Sequence, residues 1–253
     1  MAETRLTVEE ASVAYIRAMR NVLSAETEGV CRTCRTFIDP NYTRCWPCKE
    51  EQPNNLDVVV PITYSEHLGQ MHTALRSYKD SRSEDVRRYA MVRLAAILWR
   101  FLDAHERCVA RAAGAHEFDL VTTVPSSTPE GDETRSGLRQ IVEWCTPIAN
   151  RYERVLRATG EVPPGRDYAP NRYRAEWRIE GVRVLLIDDT WTKGGHAQSA
   201  AHALREAGAA NVGLVVIGRH LHRDWEVTRG EGVTNGDLLD ELPPFDWNVC
   251  GAE

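Results

Sequence analysis

Long apolar segments are what this sequence of 253 residues most clearly lacks. It contains no run of about 18 apolar residues, and its beginning, MAETRLTVEE, has neither the basic start nor the apolar core of a signal peptide. We therefore expect a soluble, cytoplasmic protein without a membrane partner.

Positive charge is also in short supply. The chain has 31 Lys and Arg residues against 37 Asp and Glu, which gives a formal net charge of -6 at pH 7. A protein that binds nucleic acid through charge alone needs clustered Lys and Arg to neutralise phosphates. The composition argues against that class and leaves open only a local basic surface.

Cysteine is scarce outside one short segment. Cys108, Cys145 and Cys250 are isolated from one another, and the other four of the seven fall between positions 31 and 48. This distribution is typical of metal binding in a reducing compartment and not of a disulfide framework. We expect the three isolated thiols to be buried.

The grouped cysteines form two CxxC pairs separated by ten residues. This spacing lets two tight turns close a tetrahedral thiolate site around Zn²⁺ with no open coordination position, so the metal is predicted to be structural. The predicted ligands are Cys31, Cys34, Cys45 and Cys48. A redox-active cysteine pair is the alternative.

The same segment, which we delimit as a module of residues 26–53, carries basic and aromatic residues that suit a contact with nucleic acid. The alternative is that the aromatic rings only cover a module too small for a core of its own. The residues are Arg32, Arg35, Arg44, Lys49, Phe37, Tyr42 and Trp46.

Hydrophobic periodicity predicts one helix before this module and an α/β domain after it. Thr7 and Glu10 have the spacing of a capping box, and the helix is expected to end near Ser24, within an N-terminal region of residues 1–25. Residues 52–55 are typical of a linker, and residues 54–253 form the main domain.

The main domain alternates strands with helices. Strands are predicted over 57–63, 119–125, 182–187 and 212–218, and helices over 64–81, 90–101, 138–145 and 196–207. Leu68, Met71 and Leu75 are expected on the apolar face of the first of these helices, and Pro147 is expected to interrupt the third. Residues 126–136 are predicted to form a polar loop, and no element is assigned from Arg229 onward.

The apolar run of residues 182–187 is typical of a central parallel strand that is buried on both faces. With the helix and strand that follow, it makes a βαβ unit, which predicts a parallel sheet with a ligand site at the carboxyl end of this strand.

Two adjacent carboxylates and a glycine-containing turn follow this strand. Glycines let backbone N–H groups converge on a phosphate, and the positive end of the next helix adds favourable potential. Carboxylates suit the 2′- and 3′-hydroxyls of a ribose or a bridging Mg²⁺. An ordinary solvated turn is the alternative, whereas the absence of GxGxxG argues against a dinucleotide site. The residues are Asp188, Asp189, Thr192, Lys193, Gly194 and Gly195.

The segment from Val184 to Ser199, VLLIDDTWTKGGHAQS, resembles the phosphoribosyl-diphosphate (PRPP) motif of type I phosphoribosyltransferases. The resemblance implies their parallel-sheet α/β fold, PRPP bound with Mg²⁺, and phosphoribosyl transfer with release of pyrophosphate. It makes Asp188 and Asp189 the catalytic pair and residues 192–196 the PRPP-binding loop. His196 and Lys193 stand where the family usually has hydroxyl residues, and both offer nitrogen donors instead.

The order of elements resembles the ComF-like branch of that family, with an N-terminal zinc ribbon, the segment TALRSYKDS, a long helix and a strand that ends at Pro125. This resemblance implies contacts to pyrophosphate or substrate from Ser126, Ser127, Arg135, Lys79 and Arg172. The loop after Pro125 departs from this role, because it sets Glu130, Asp132 and Glu133 against a single Arg135.

Three functions follow as hypotheses. The first is a Mg²⁺-dependent phosphoribosyltransferase that acts on an acceptor the sequence does not identify. The second is a non-catalytic PRPP or nucleotide sensor, or an accessory protein of DNA processing or competence. The third is a zinc-ribbon adaptor for nucleic acid. His220 and His222, an HxH pair without a metal partner defined by the sequence, are predicted to be loop residues, with proton carriers as the alternative.

Overall fold

The computed structural model describes residues 6–51 and 53–252. Residues 1–5 of the predicted N-terminal region, Gln52 of the predicted linker and Glu253 lie outside the described residues. The helices are α1 Val8–Ser12, α2 Gln70–Asp80, α3 Glu84–Ala112, α4 Pro129–Thr134, α5 Gly137–Glu143, α6 Thr146–Ala149, α7 Gly195–Glu206 and α8 Asn235–Glu241. The strands are β1 Val58–Glu66, β2 Leu120–Thr123, β3 Leu156–Ala158, β4 Tyr173–Ala175, β5 Arg183–Trp191 and β6 Asn211–Leu221.

A four-stranded parallel sheet in the order β1-β6-β5-β2 forms the centre of the main domain. The predicted α/β class with a parallel sheet is confirmed. Val184 and Ile187 of β5 are completely buried, as expected for an apolar strand between two neighbours. Because all four strands run in one direction, their carboxyl ends meet along one edge.

Helices cover both faces of the sheet. Residues of odd number in β5, such as Leu185 and Ile187, pack with α2 and α3, whereas Val184 and Leu186 pack with α7 and the short β3–β4 hairpin. This alternation follows from the period of two in a strand. The same alternation determines toward which face of the sheet each residue of β5 after Ile187 points.

The N-terminal helix ends earlier than its periodicity predicts. The capping box of Thr7 and Glu10 is present, but α1 ends at Ser12 and a 3₁₀ helix continues only to Ala18. From there the backbone is extended, because Arg20 pairs with the exposed edge of β1. Its N–H donates to Thr63 Oγ1 at 2.9 Å, and its carbonyl accepts from the Tyr64 N–H at 3.3 Å. Edge protection therefore overrides helix propensity here.

Three further expectations about individual elements were wrong. Leu68 does not belong to the apolar face of α2, since it precedes that helix with φ of 62° and is 77% exposed. Residues 126–136 are not a featureless loop, because they contain α4, whose first turn is capped by the Thr128 hydroxyl. Pro147 lies in the first turn of α6 and not at an interruption of α5.

The chain after Arg229, to which the sequence assigned no element, contains α8. Its N-terminus has a capping box of Thr234 and Asp237. The helix is only seven residues long, and Leu239 is its one buried large apolar side chain. So short an element has too few apolar positions to show a period.

Candidate functional site

A cleft of about 1380 Å³ opens along the carboxyl edge of the sheet. Its walls come from the ends of β2, β5 and β6, from α2 and the start of α3, from α4 and α5, and from the turn that leads into α7. The cleft therefore lies where the βαβ unit predicts a ligand site.

Asp188 and Asp189 both lie within β5, which continues to Trp191. Asp189 is only 4% exposed and approaches α2, where Tyr78 Oη donates to its Oδ2 at 2.7 Å and Lys79 forms an ion pair with the same oxygen. Burial is the largest single influence and lowers the pKa of Lys79, but the charge of Asp189, its hydrogen bond and the nearby carboxylates together outweigh burial, so the pKa is raised. Lys79 therefore stays protonated and compensates the buried carboxylate.

Asp188 is less confined than its neighbour. Its Oδ1 accepts the backbone N–H of Asp189 at 2.8 Å. Burial first, and then the negative charge of Asp189, raise the pKa of Asp188. A cation that bound between the two carboxylates would relieve this repulsion.

The turn into α7 is held between an indole ring and a backbone segment. Gly194 has φ of 90°, and a Cβ added to it would meet the Trp191 ring at 2.1 Å. A Cβ on Gly195 would meet the Arg166 carbonyl oxygen at 2.3 Å and the Tyr168 backbone nitrogen at 2.7 Å. Only glycine fits at these two positions.

The first turn of α7 borders the cleft. Gly194 is the residue that precedes the helix and supplies no side-chain cap. The first N–H groups of a helix have no partner within the helix, so those of α7 are available to an anion. Thr192, Gly194, Gly195 and His196 all line the cleft at this point.

Lys193 and His196, the two departures from the family motif, contact a cover segment, which we define as residues 163–168. The Lys193 ammonium lies 3.6 Å from Asp167 Oδ1 and 3.7 Å from Glu51 Oε2, and this residue does not line the cleft. His196 Nε2 lies 2.5 Å from the Gly165 carbonyl oxygen, to which it can donate only when Nε2 carries the proton. Burial lowers the pKa of His196.

The residues expected at the pyrophosphate side divide into two groups. Ser126, Ser127, Arg135 and Lys79 line the cleft. Arg172 does not line it, because its buried guanidinium donates to the carbonyl oxygens of Pro163 at 3.4 Å and Asp167 at 3.1 Å. It fixes the cover segment in place.

The acidic residues of α4 are largely compensated by nearby arginines. Asp132 is buried, lies 3.2 Å from Arg154 and 3.7 Å from Arg139, and accepts the Ala158 N–H at 3.3 Å. Glu133 forms an ion pair with Arg154 at 2.9 Å. The composition of residues 126–136 therefore overstates the negative charge that a ligand would meet.

The lining of the cleft is more basic than the chain as a whole. Basic side chains outnumber acidic ones there by eight to six, although the chain carries a net charge of -6. Arg87, Arg88 and Arg154 are not recognisable as lining residues from the sequence, because nothing local links α3 or residue 154 to a ligand. The basic residues are Arg76, Lys79, Arg87, Arg88, Arg135, Arg139, Arg154 and Arg166.

The four grouped cysteines come together at the same edge of the sheet. Their sulfur atoms all lie within 4.8 Å of one another, with Cys34 Sγ 3.6 Å from Cys45 Sγ. Cys31, Cys34 and Cys48 are buried and Cys45 is partly buried. This closed set of four thiols fits one tetrahedral metal ion.

Arg219 of β6 joins the cysteine cluster to the candidate site. It is 5% exposed, and its guanidinium donates to the Cys34 carbonyl at 2.8 Å, to Cys34 Sγ at 3.4 Å and to the Trp191 carbonyl at 3.1 Å. A metal with four thiolates carries a net charge of -2, and a buried guanidinium offsets part of it.

The basic and aromatic residues of the module separate into buried and exposed sets. Arg35 and Phe37 are buried, the former with φ of 61°. Tyr42 and Trp46 are exposed, as are Arg32, Arg44 and Lys49. Arg32 pairs with Glu26 at 3.5 Å and Lys49 pairs with Glu50 at 2.9 Å.

Among the described residues, no helix is both long enough and apolar enough to span a membrane.

Neither a protein-family model nor a curated protein matches the sequence. Solved structures do match. One is titled an allosteric regulatory enzyme of purine biosynthesis, at 22% identity and a TM-score of 0.33, and another is the glutamine PRPP amidotransferase of B. subtilis, at 20% and 0.32. Each match covers 56% of this chain and 30% of the other.

A third structure, the purine phosphoribosyltransferase of Pyrococcus horikoshii, is 12% identical, with a TM-score of 0.31 and coverage of 53% of this chain and 95% of that one. The chain thus spans about 30% of the length of the first two proteins. Similarity at this level assigns neither a family nor an activity, so the function must be argued from the site itself.

Proposed function

We propose that the cleft binds PRPP together with Mg²⁺ and that the protein transfers the phosphoribosyl group to an acceptor with release of pyrophosphate. The observation that carries this proposal is the position of Asp188 and Asp189. They lie side by side at the carboxyl end of a central strand, directly before a glycine turn that opens a helix of twelve residues onto the cleft.

The carboxylate pair suits the ribose hydroxyls or the Mg²⁺ that accompanies a diphosphate. Asp188 and Asp189 would hold this end of the ligand. The Lys79 ammonium, which now pairs with Asp189, is then free to move toward a phosphate oxygen. The exchange keeps the buried charge of Asp189 compensated at every stage.

The 5′-phosphate suits the turn into α7. The N–H groups of Gly195 and His196 lie at the start of that helix, where the helix dipole favours an anion. The two glycines let the Trp191 ring and the cover segment pack against this turn, because a side chain at either position would overlap them. His196 holds the cover segment against the turn through Gly165.

The pyrophosphate suits the wall of the cleft that is formed by residues 126–135. Ser126 and Ser127 offer hydroxyl donors there, and Arg135 offers a charged one. In the transfer itself, a bond forms from an acceptor nitrogen to C1′, the bond from C1′ to the pyrophosphate oxygen breaks, and that oxygen takes the electron pair. The proton of the acceptor nitrogen leaves to solvent. Cationic donors around the leaving group stabilise the charge that develops on it.

The cysteine cluster suits a structural Zn²⁺. Four thiolates leave no position for a substrate, and the cluster lies against the sheet through Arg219. Zinc would hold together a module that has few apolar residues of its own.

Calorimetry tests the binding step with the full chain, Mg²⁺ and PRPP. Asp188→Asn and Asp189→Asn are expected to weaken binding by at least about tenfold, which is 1.4 kcal/mol. Asp103→Asn is the matched control, because Asp103 is exposed on α3 and does not line the cleft. No binding by the wild-type chain would refute the proposal.

A non-catalytic PRPP sensor is the second candidate. It is favoured by the contacts of Lys193 and His196. These two residues stand at positions where the family has hydroxyl residues, but their side chains contact the cover segment. Pyrophosphate release separates the two. If PRPP binds but no pyrophosphate appears with purine and pyrimidine bases, amines or cell extract, the protein is a sensor.

Contact with nucleic acid through the module is a further candidate, favoured by the exposure of Tyr42 and Trp46. The ion pairs of Arg32 and Lys49 with neighbouring acids reduce the charge available for it. Salt-dependent binding of a single-stranded oligonucleotide that is lost in a Trp46→Ala variant would support this role.

A further inference from the structure

Four of the eight histidines gather at one end of the cleft. His67 follows β1, and His72 lies on α2. His220 lies within β6 and not in a loop, whereas His222 directly follows that strand. The neighbouring parallel strands bring them together, because Ser65 pairs with His220 in the sheet and the His67 N–H donates to the Leu221 carbonyl at 2.7 Å.

Three of these side chains form a potential ligand set. One ring nitrogen of each of His67, His220 and His222 lies within 4.8 Å of the others. Nitrogen ligands at about 2.0–2.1 Å from a tetrahedral ion lie about 3.3–3.4 Å apart, so the rings need to close by at most about 1.5 Å. His67 is exposed and His222 is partly exposed, so both side chains have room for torsional adjustment.

Burial and neighbouring groups disfavour the protonated forms of His220 and His222. Burial, followed by the proximity of His72, His222 and His67, lowers the pKa of His220 to about 4, and burial and His67 lower that of His222. Arg219 and Arg76 also oppose protonation in this cluster, whereas Asp224 favours it at His222. Uncharged imidazole is the form that binds metals.

His220 Nδ1 gives an independent indication of a ligand. This nitrogen is buried, and within the part of the chain that the structure describes it has no hydrogen-bond partner. A buried polar atom without a partner costs free energy. A metal ion would satisfy it.

His72 belongs to the cluster but not to the ligand set. Its Nδ1 accepts the Leu68 N–H at 3.0 Å, so in the neutral ring the proton is on Nε2 and that nitrogen has no lone pair to offer. Glu66, the nearest carboxylate along β1, is paired with Arg223 at 2.8 Å. Within the described part of the chain, the group of side chains here that could hold a metal ion consists of imidazoles.

We propose that His67, His220 and His222 bind one divalent transition-metal ion at the end of the cleft, with a fourth position open to water or to an oxygen of the bound ligand. Imidazole ligands select ions such as Zn²⁺, Co²⁺ or Ni²⁺ over Mg²⁺ and Ca²⁺. The site is separate from the cysteine cluster and from Asp188 and Asp189, and it does not depend on the identity of the substrate.

Cobalt tests this proposal, since Co²⁺ bound by imidazoles shows visible absorption without the charge-transfer band of thiolate ligation. The full chain is titrated with Co²⁺ in the absence of PRPP and Mg²⁺. We expect one equivalent to bind without a sulfur band. His67→Gln and His222→Gln should each weaken this binding by more than about 100-fold, because loss of an outer partner alone costs about 10–100-fold.

His72→Gln is the matched control, since His72 lies in the same cluster and is predicted not to be a ligand. It should change the affinity by less than about tenfold. Binding that is absent, that shows only the sulfur band, or that His72→Gln weakens as strongly as His67→Gln would overturn the assignment. Thermal melts of each variant exclude unfolding as the cause, and PRPP calorimetry on His222→Gln shows separately whether the proposed function holds.

Discussion

Asp189 carries a negative charge in an almost completely buried position, and its neighbours explain why the fold tolerates it. Lys79 supplies the opposite charge and Tyr78 a hydrogen bond, both from the last turn of α2. Removal of one partner of a buried pair costs more than the pair contributes, because the other charge is left uncompensated. The effect of Asp189→Asn on stability must therefore be measured beside its effect on PRPP binding.

Gly195 is packed closely against the backbone of the cover segment. In Gly195→Ala the new Cβ would overlap the backbone of residues 166–168, which must then move away from the turn. We expect the free energy of unfolding to fall by about 1–3 kcal/mol, as for overpacking elsewhere. PRPP affinity, measured by calorimetry, should fall by at least about tenfold.

Gly165→Ala is the control, since a Cβ at Gly165 would lie 3.9 Å from its nearest neighbour, the Pro163 carbonyl oxygen. It should leave both quantities almost unchanged. Equal affinities for PRPP in the two variants would show that the turn into α7 is not the phosphate site.

At the scale of elements, the amino ends of β2 and β5 are joined by Asp119 and Arg183. The Asp119 Oδ2 accepts from the Arg183 backbone nitrogen at 3.0 Å and from Nε at 2.8 Å. These hydrogen bonds lower the pKa of Asp119 to about 2. Because the folded-state pKa is depressed, the stabilisation is present above the ordinary value and is lost as the pH falls through about 2.

Asp119→Asn should therefore lower the free energy of unfolding by about 0.2–1 kcal/mol at pH 6, the range for an exposed ion pair. Urea denaturation of both proteins at several pH values measures this difference. It should shrink steadily below about pH 4. A difference that is constant with pH would assign the effect to the lost backbone contact and not to the charge.

Elements whose hydrophobic pattern extends over many residues were predictable, and short elements were not. The buried run of β5 and the stripe of α3 extend over enough residues to reveal their class, and both are present. α4 has six residues and contains three acids, of which the buried Asp132 is stabilised by arginines of α5 and of the segment before β3. No pattern within residues 126–136 predicts that these arginines are the partners of Asp132.

At the scale of the whole molecule, Arg219 makes the cysteine module and the turn into α7 parts of one structure. Its guanidinium contacts Cys34 on one side and the Trp191 carbonyl on the other, and the Trp191 ring supports Gly194. Loss of metal from the module should therefore also disturb the geometry of the candidate site.

Removal of zinc with a chelator is expected to lower the free energy of unfolding by about 2.7–4.1 kcal/mol, the linkage expected when the metal is present at 100 to 1,000 times its Kd. PRPP affinity should fall by about fivefold or more, and PRPP should in turn raise metal affinity by the same factor. Denaturation and calorimetry with and without chelator measure the two effects. Cys31→Ser should reproduce them, whereas Cys108→Ser, outside the cluster, should not.

The sequence by itself determined the features that depend on a few neighbouring residues. The two CxxC pairs, the apolar run before Asp188 and the glycines at 194 and 195 follow from ligand spacing, burial and backbone geometry. Each of these is a local requirement, and each appears in the structure at the predicted place.

Only the tertiary structure decided how charges and ligands are shared among distant segments. It pairs Asp189 with Lys79, turns Lys193 and Arg172 to the cover segment, and assembles His67 with His220 and His222. These outcomes depend on the strand order β1-β6-β5-β2, which sets residues far apart in the chain side by side. Hydrophobic periodicity reports which face of an element is buried, but not which element lies against it.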